Sequence, residues 1–191
     1  GYRFSVDTVG ESVRQFLLKE VAPNAKQWQE DGIVPKEIWP KAGEVGMLCP
    51  TAPVEYGGLG LDFGYNAIVD EESAYYGGAA TGFSLQSDIV VNYITSYGSE
   101  EQKKHWLPKM ISGEVITAIA MTEPGTGSDL QAVRTSAVRQ GDEYVINGSK
   151  TFITNGGYAD MVLVAARTSP EKKAKGISLF LVPKYRVNAD G

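Results

Sequence analysis

Apolar positions along the chain change their spacing near Gly113. Before it, Val13, Phe16, Leu17 and Val21 recur at helical intervals behind Thr8-x-x-Glu11, which has the spacing of a capping box. Pro35 stands where a first helical residue would, ahead of Ile38 and Trp39, and this run stops among Gly43 to Gly46. Segment 47–61 is rich in Pro and Gly and reads as a loop. Helical stretches follow over 65–76 and 84–97, separated by the small-residue cluster 77–82. Ser99-x-x-Gln102 caps a further helix carrying Trp106 and Leu107, and Pro108 should start a fresh turn before Met110 and Ile111.

After Gly113 the runs are short and β-branched: 115–121, 134–139, 143–146, 161–166 and 177–182, each bounded by Gly, Asn, Pro or Lys. Asn147-Gly148 and Asn155-Gly156 carry the chemistry of tight hairpin turns, since both residue types tolerate φ > 0. The pattern predicts an α+β chain, with an N-terminal helical domain over 1–114 and an antiparallel β-barrel or sandwich domain over 115–191. That second domain has about five strands, few for a closed barrel or a sandwich, so it is expected to be incomplete. The chain begins without Met and ends on a turn-like tail, and a fragment of a longer protein is expected.

Composition narrows the classes. The 191 residues are 42% hydrophobic and 21% charged, an ordinary globular balance that excludes disorder. The net charge of −5, with acidic and basic residues mixed, lacks the basic footprint of a nucleic-acid binder. No apolar run approaches the roughly 20 residues that span a bilayer, and the start is not a secretory signal. The single cysteine, Cys49, has no partner for an internal disulfide and fits a reducing compartment.

Two segments carry candidate chemistry. In 119–130, Ile119 and Met121 end a strand, Thr122 offers a hydroxyl at its tip, and Pro124 fixes a turn. Gly125 and Gly127 then let backbone N–H groups approach a ligand, with Thr126 and Ser128 beside them. Such a loop holds an anion such as a pyrophosphate, or it is a hydrophilic connection between strands. In 148–157, residues 152 and 154 should share one face of a strand. There Phe152 either packs on a flat ligand with the Thr154 hydroxyl reaching a heteroatom, or fills the core of a hairpin.

These segments together resemble the acyl-CoA dehydrogenase family: MTEPGTGSD at 121–129, YVINGSKTFITNGG at 144–157 and KGISLFLVP at 175–183, with a helical front and the loop PVEYGGLGLD at 53–62. The resemblance covers essentially the whole chain and implies a FAD-dependent enzyme. Its reaction removes an α proton and a β hydride from a fatty acyl-CoA and passes electrons to an electron-transfer flavoprotein. It implies cofactor contacts at Ile119, Met121, Thr122, Gly127, Ser128, Phe152, Ile153 and Thr154. Thr122 would bond the pyrimidine edge of the flavin, Ser128 would lie between the FAD phosphates and the acyl-CoA, and Thr154 would donate toward the nitrogen that accepts hydride. Many members carry Trp where this chain has Phe152, which has less ring face and no N–H. The family's catalytic Glu lies in a C-terminal helical domain beyond residue 191, so no catalytic residue is assigned within this chain. The resemblance further implies a homo-oligomer, a homotetramer at full length, acting in fatty acid β-oxidation. It would be cytoplasmic, or in the mitochondrial matrix of a eukaryote. A flavin oxidase or monooxygenase on the same fold, and a non-catalytic truncated module, are the alternatives.

Other features are set aside. Gly58-x-Gly60-x-x-x-Gly64 has the wrong spacing for a dinucleotide fingerprint. The lone His105 reads as a surface residue and Cys49 as a packing residue; no metal site is expected. Asp70-Glu71-Glu72 reads as a solvated helix face. The cluster 77–82 is either an interhelical turn or, by the resemblance, a neighbour of the acyl-chain pocket.

Overall fold

The structure, a computed structural model, describes residues 6–184. The chain divides into two compact units, Gly1–Ile116 and Thr117–Gly191.

The first unit is helical. Helix α1 (Val6–Phe16) runs on into a π-helical turn (Leu17–Val21), and Val13, Phe16, Leu17 and Val21 are all buried, as their spacing predicts. Because α1 starts by Val6, Thr8 lies inside the helix and does not cap it. Helices α2 (Ala25–Asp31) and α3 (Ile38–Glu44) follow; Trp39 of α3 is fully buried and meets Phe83 edge-on at 4.8 Å between ring centroids. The loop 47–61 contains one short 3₁₀ turn (Val54–Tyr56). Helix α4 (Phe63–Tyr75) is capped by Asp62, whose carboxylate accepts from Gly64 N–H.

Glu72 of α4 departs from the expected solvated face. It is buried and accepts two hydrogen bonds from the Arg14 guanidinium of α1, at 2.9 and 2.7 Å, a bidentate pair that locks the two helices. A charge triplet gives no sign of which member turns inward; of the three only Glu71 is exposed.

A π-helical turn (Leu85–Val90) leads into α5 (Val91–Tyr97), and α6 (Glu100–Ser112) closes the unit. Ser99 and Gln102 form the complete reciprocal capping box expected of them. Pro108 does not restart the helix. It sits within α6, where buried Leu107 and Met110 hold the helix on both sides of the missing N–H. Gly113 ends α6 at φ +76°, and a Cβ there would lie 2.3 Å from the Trp39 carbonyl oxygen, so the position requires glycine twice over.

The second unit is a five-stranded sheet: β1 (Thr117–Ala120), β2 (Ser136–Gln140), β3 (Glu143–Asn147), β4 (Met161–Arg167) and β5 (Ile177–Pro183), in the order β1-β4-β2-β3 with β5 also on β4. The sheet is open, and its pairing is mixed where antiparallel pairing was expected. The β2–β3 and β4–β5 pairs, joined by short connections, are antiparallel. β1 pairs with β4 in parallel, Thr117 opposite Met161 through Ala120 opposite Val164, and β2 meets β4 in parallel at Ser136 opposite Arg167. The connection 121–160 between β1 and β4 is long enough for a parallel crossover. Residues 121–130 of the first candidate segment and all of the second lie within that crossover.

The turn chemistry also falls elsewhere than expected. The β2–β3 hairpin turns at Gly141-Asp142, with Gly141 at φ +63° and Gln140 opposite Glu143. Asn147-Gly148 instead ends β3. Gly148 passes so close to Thr135 that a Cβ would lie 2.4 Å from its Oγ1. Asn155-Gly156 does form a turn, Gly156 N–H donating to the Ile153 carbonyl at 2.9 Å, but it precedes β4 rather than joining paired strands.

Candidate functional site

The first candidate segment leaves the end of β1. Ile119 and Met121 are half-buried, Thr122 is half-buried, and Gly127 and Ser128 are exposed. A tight turn follows, Glu123 and Thr126 exchanging backbone hydrogen bonds at 2.9 and 3.1 Å. The Thr126 hydroxyl donates back to the Asp129 carbonyl at 2.6 Å. The N–H groups of Gly125, Gly127 and Ser128, and the hydroxyls of Thr122 and Ser128, find no partner among the described residues. A Cβ at Gly125 or Gly127 would meet nothing within 4 Å, so no internal packing demands glycine there.

The second segment is not a strand. Phe152 has φ +56° and is 92% exposed, Ile153 is half-buried, and Thr154 is exposed with no partner for its hydroxyl among the described residues. A β-branched pattern around an aromatic misleads here because Asn155, also left-handed at φ +64°, curls the chain. Its buried side chain donates to the Thr117 carbonyl of β1 at 3.1 Å and accepts from the Tyr158 hydroxyl at 2.9 Å. Lys184, just after β5, clasps the same loop from its other end, donating to the carbonyls of Gly156 and Gly157 at 2.8 and 2.9 Å. A bulky residue in the left-handed region costs about 1–2 kcal/mol, and Phe152 buries no ring area to offset it.

The structure brings the two segments side by side. Thr151 N–H donates to the Thr122 carbonyl at 3.0 Å. Next to it, Lys150 Nζ donates to the Met121 carbonyl at 2.9 Å and to Glu123 Oε1 at 3.0 Å. Glu123 accepts in addition from the backbone N–H groups of Arg134 and Thr135 at 2.7 and 2.8 Å. Burial pushes the Glu123 carboxyl up, but its bonds from Thr135, Arg134 and Lys150 outweigh that and hold it at about 2. Glu123 and Lys150 escape a reading by motif because each lies close to a more eye-catching residue, and Asn155 is read only as part of a turn. The alternation of exposed and inward side chains was their only signal.

Away from this region, a cavity of about 150 Å³ in the helical unit is lined by Gly78, Thr81 and Phe83 together with Asn66, Asp70 and Asp88. It is smaller than the roughly 300–1,000 Å³ of a small-molecule pocket. His105 is exposed, Cys49 is buried, and among the described residues no group of three or more His, Cys, Asp or Glu is placed to hold a metal. No described helix is long and apolar enough to cross a membrane.

Comparison with known proteins agrees with this layout. Residues 6–114 match the acyl-CoA dehydrogenase N-terminal domain family and residues 118–190 the acyl-CoA dehydrogenase middle domain family. The chain is 52% identical, over 92% of its length, to the long-chain specific acyl-CoA dehydrogenase of Sus scrofa mitochondria, of which it covers 41%. It superposes on an acyl-CoA dehydrogenase from Geobacillus kaustophilus with a TM-score of 0.90 and 49% identity, covering 96% of this chain and 49% of that one. A glutaryl-CoA dehydrogenase from Mycobacterium smegmatis, solved in complex with FADH2, matches with a TM-score of 0.84 and 33% identity over 95% of this chain and 46% of that one. The chain thus spans about two-fifths of the curated relative's length. With both domain families matched in order along nearly all of its length, this chain belongs to the acyl-CoA dehydrogenase family.

Proposed function

We propose that the sheet unit carries the flavin-facing part of a FAD-dependent acyl-CoA dehydrogenase acting on a fatty acyl-CoA. The observation that carries this reading is the joining of the two segments, with Thr151 N–H donating to the Thr122 carbonyl at 3.0 Å. One aromatic ring stands almost wholly in solvent on a strained backbone, and two hydroxyls without internal partners flank the joined segments. Strain of this kind persists where the surroundings impose it, often where a ligand is bound. The residues fit the cofactor: an exposed ring for a flat face, hydroxyl donors for its polar edge, and unpaired N–H groups over two open glycines for a phosphate.

When bound, FAD supplies the acceptor for the hydride leaving the β carbon of the acyl group. The chain's own residues do the holding. Thr122 would donate to the pyrimidine edge with Met121 beside it, while Ile119 and Ile153 would support the two segments. Phe152 would cover one face of the ring and shield it from water, and Thr154 would offer its hydroxyl to the ring's polar atoms. Gly127 and Ser128 bind phosphate oxygens, and Ser128 also faces the acyl-CoA. By the family resemblance the base for the α proton would come from a C-terminal helical domain, and the residues named here would bind and orient. Electrons then pass to an electron-transfer flavoprotein, and the working form is a homo-oligomer.

The reaction is tested by loading the protein with FAD, in a polypeptide that carries the family's C-terminal helical domain, and mixing it anaerobically with a fatty acyl-CoA. Bleaching of the flavin followed by slow reoxidation in air is expected. Fast reoxidation with release of peroxide would assign an oxidase instead.

A further inference from the structure

We infer that Glu123 and Lys150 form a positioning pair that sets the flavin-facing segments against each other without touching the cofactor. This rests on the flavin reading above. The two side chains are 7% and 11% exposed, so neither reaches the exposed surface that Phe152 and Thr154 present. Yet each bond they make ends on a residue that fixes that surface. Lys150 holds the Met121 carbonyl at 2.9 Å, one residue before Thr122, and precedes Thr151, whose N–H bonds the Thr122 carbonyl at 3.0 Å. Glu123 follows Thr122 and takes the N–H groups of Arg134 and Thr135, at the approach to β2. Three stretches of the crossover, 121–123, 134–135 and 150–151, therefore meet on one ion pair.

Charge is an expensive way to fill this space. An apolar pair of the same volume would avoid the desolvation of two ions. What apolar side chains lack is direction. Four hydrogen bonds from three donor groups converge on fixed oxygens here: the ammonium on a carbonyl and a carboxylate, and two backbone amides on that same carboxylate. Such a set defines the separation of Thr122 from Phe152 to within hydrogen-bond tolerance, and sites of this kind depend on that tolerance. The strained Phe152 backbone gives the pair something to hold: with Lys150 released, residues 151–154 lose one of the contacts that fix their path, beside those of Asn155 and Lys184.

The test compares the wild-type protein with Lys150→Met, Lys150→Arg and Glu123→Gln, measuring FAD dissociation constant, visible circular dichroism of the bound flavin, and hydrogen exchange at Thr151 N–H. Lys150→Met is expected to weaken FAD binding about tenfold or more, to change the flavin signal and to expose Thr151 N–H, while Lys150→Arg recovers most of each. A merely structural role would lower the melting temperature and leave the flavin signal and affinity of the folded protein unchanged; that result overturns the inference. If Lys150→Met does not fold, Glu123→Gln, which keeps the size but removes the charge and turns one of the two acceptor oxygens into a donor, decides by the same readouts. If the wild type itself binds no FAD, the functional reading fails separately. Exchange at Thr151 N–H then decides alone: protection lost in Lys150→Met upholds the positioning pair, and protection retained overturns it.

Discussion

Lys150 Nζ lies 3.0 Å from Glu123 Oε1, and both side chains are nearly closed off from solvent. This contact joins two stretches of chain that are far apart in sequence, and the exposed candidate residues stand directly beside it. Breaking one partner of a buried pair leaves the other charge uncompensated, which costs about 3–5 kcal/mol. Lys150→Met should therefore unfold at markedly lower urea concentration than wild type, and the double variant Lys150→Met, Glu123→Gln should recover part of the loss. A double variant no better than the single one would contradict the pairing.

The same contact dictates an acid dependence. Glu123 has its folded-state carboxyl lowered from 4.5 to about 2. A carboxyl lowered by folding contributes stability that is complete above its unfolded value and fades as pH falls toward the folded one. Between about pH 4.5 and 2, wild type should lose stability that Glu123→Gln does not lose over that range. Unfolding curves measured at pH 7, 5, 4 and 3 check this, and parallel pH profiles would refute it.

Asp88 predicts the opposite slope. Burial pushes its carboxyl up to about 6, aided by neighbouring Asp70 and opposed by the hydrogen bond from Asn66 Nδ2. The folded state thus holds this proton more tightly than the unfolded chain, and stability falls as pH rises from about 3.8 through 6. Asp88→Asn removes the penalty and keeps an acceptor for Asn66. Its melting temperature should exceed that of wild type at pH 7.5 by about 2–4 °C, and the difference should vanish near pH 3.5.

Gly148 tests the close approach to Thr135. A Cβ there would stand 2.4 Å from Thr135 Oγ1 and 2.6 Å from its Cα, the latter being backbone that does not move aside cheaply. Gly148→Ala should cost about 1–3 kcal/mol, as overpacking does, read from the shift in urea midpoint. An unchanged midpoint would mean the two stretches separate freely.

These predictions mark where sequence pattern stopped being informative. The change from helical to strand spacing at Gly113 was legible because it sums over many positions. The buried face Val13, Phe16, Leu17 and Val21 and the Ser99–Gln102 box were legible because each rests on a fixed local spacing. Parallel pairing of β1 with β4 was not, since register across a long crossover depends on tertiary packing rather than on either strand's residues. Phe152 and Thr154 were expected to share one face of a strand: alternation suggested it, and the left-handed Asn155 tied to Thr117 overrode it. Nothing in the local spacing of Glu123 or Lys150 pairs them; only the fold places them together.

Phe152 separates the site from the fold. At 92% exposure it contributes no packing to the sheet, so Phe152→Ala should change unfolding free energy by no more than about 0.5 kcal/mol. Its FAD affinity should nevertheless fall, because the ring supplies the flat contact. A large stability change with unaltered affinity would reverse this assignment.

The most direct measurement of the central claim is a titration of the protein with FAD, following flavin fluorescence and melting temperature together. A ligand bound only by the folded state raises the melting temperature as its concentration passes the dissociation constant. We expect saturable quenching, a melting temperature that climbs with added FAD, and weakening of both in Phe152→Ala. Fluorescence identical to free FAD, with a melting temperature indifferent to it, would contradict a flavin site built from Thr122, Ser128, Phe152 and Thr154.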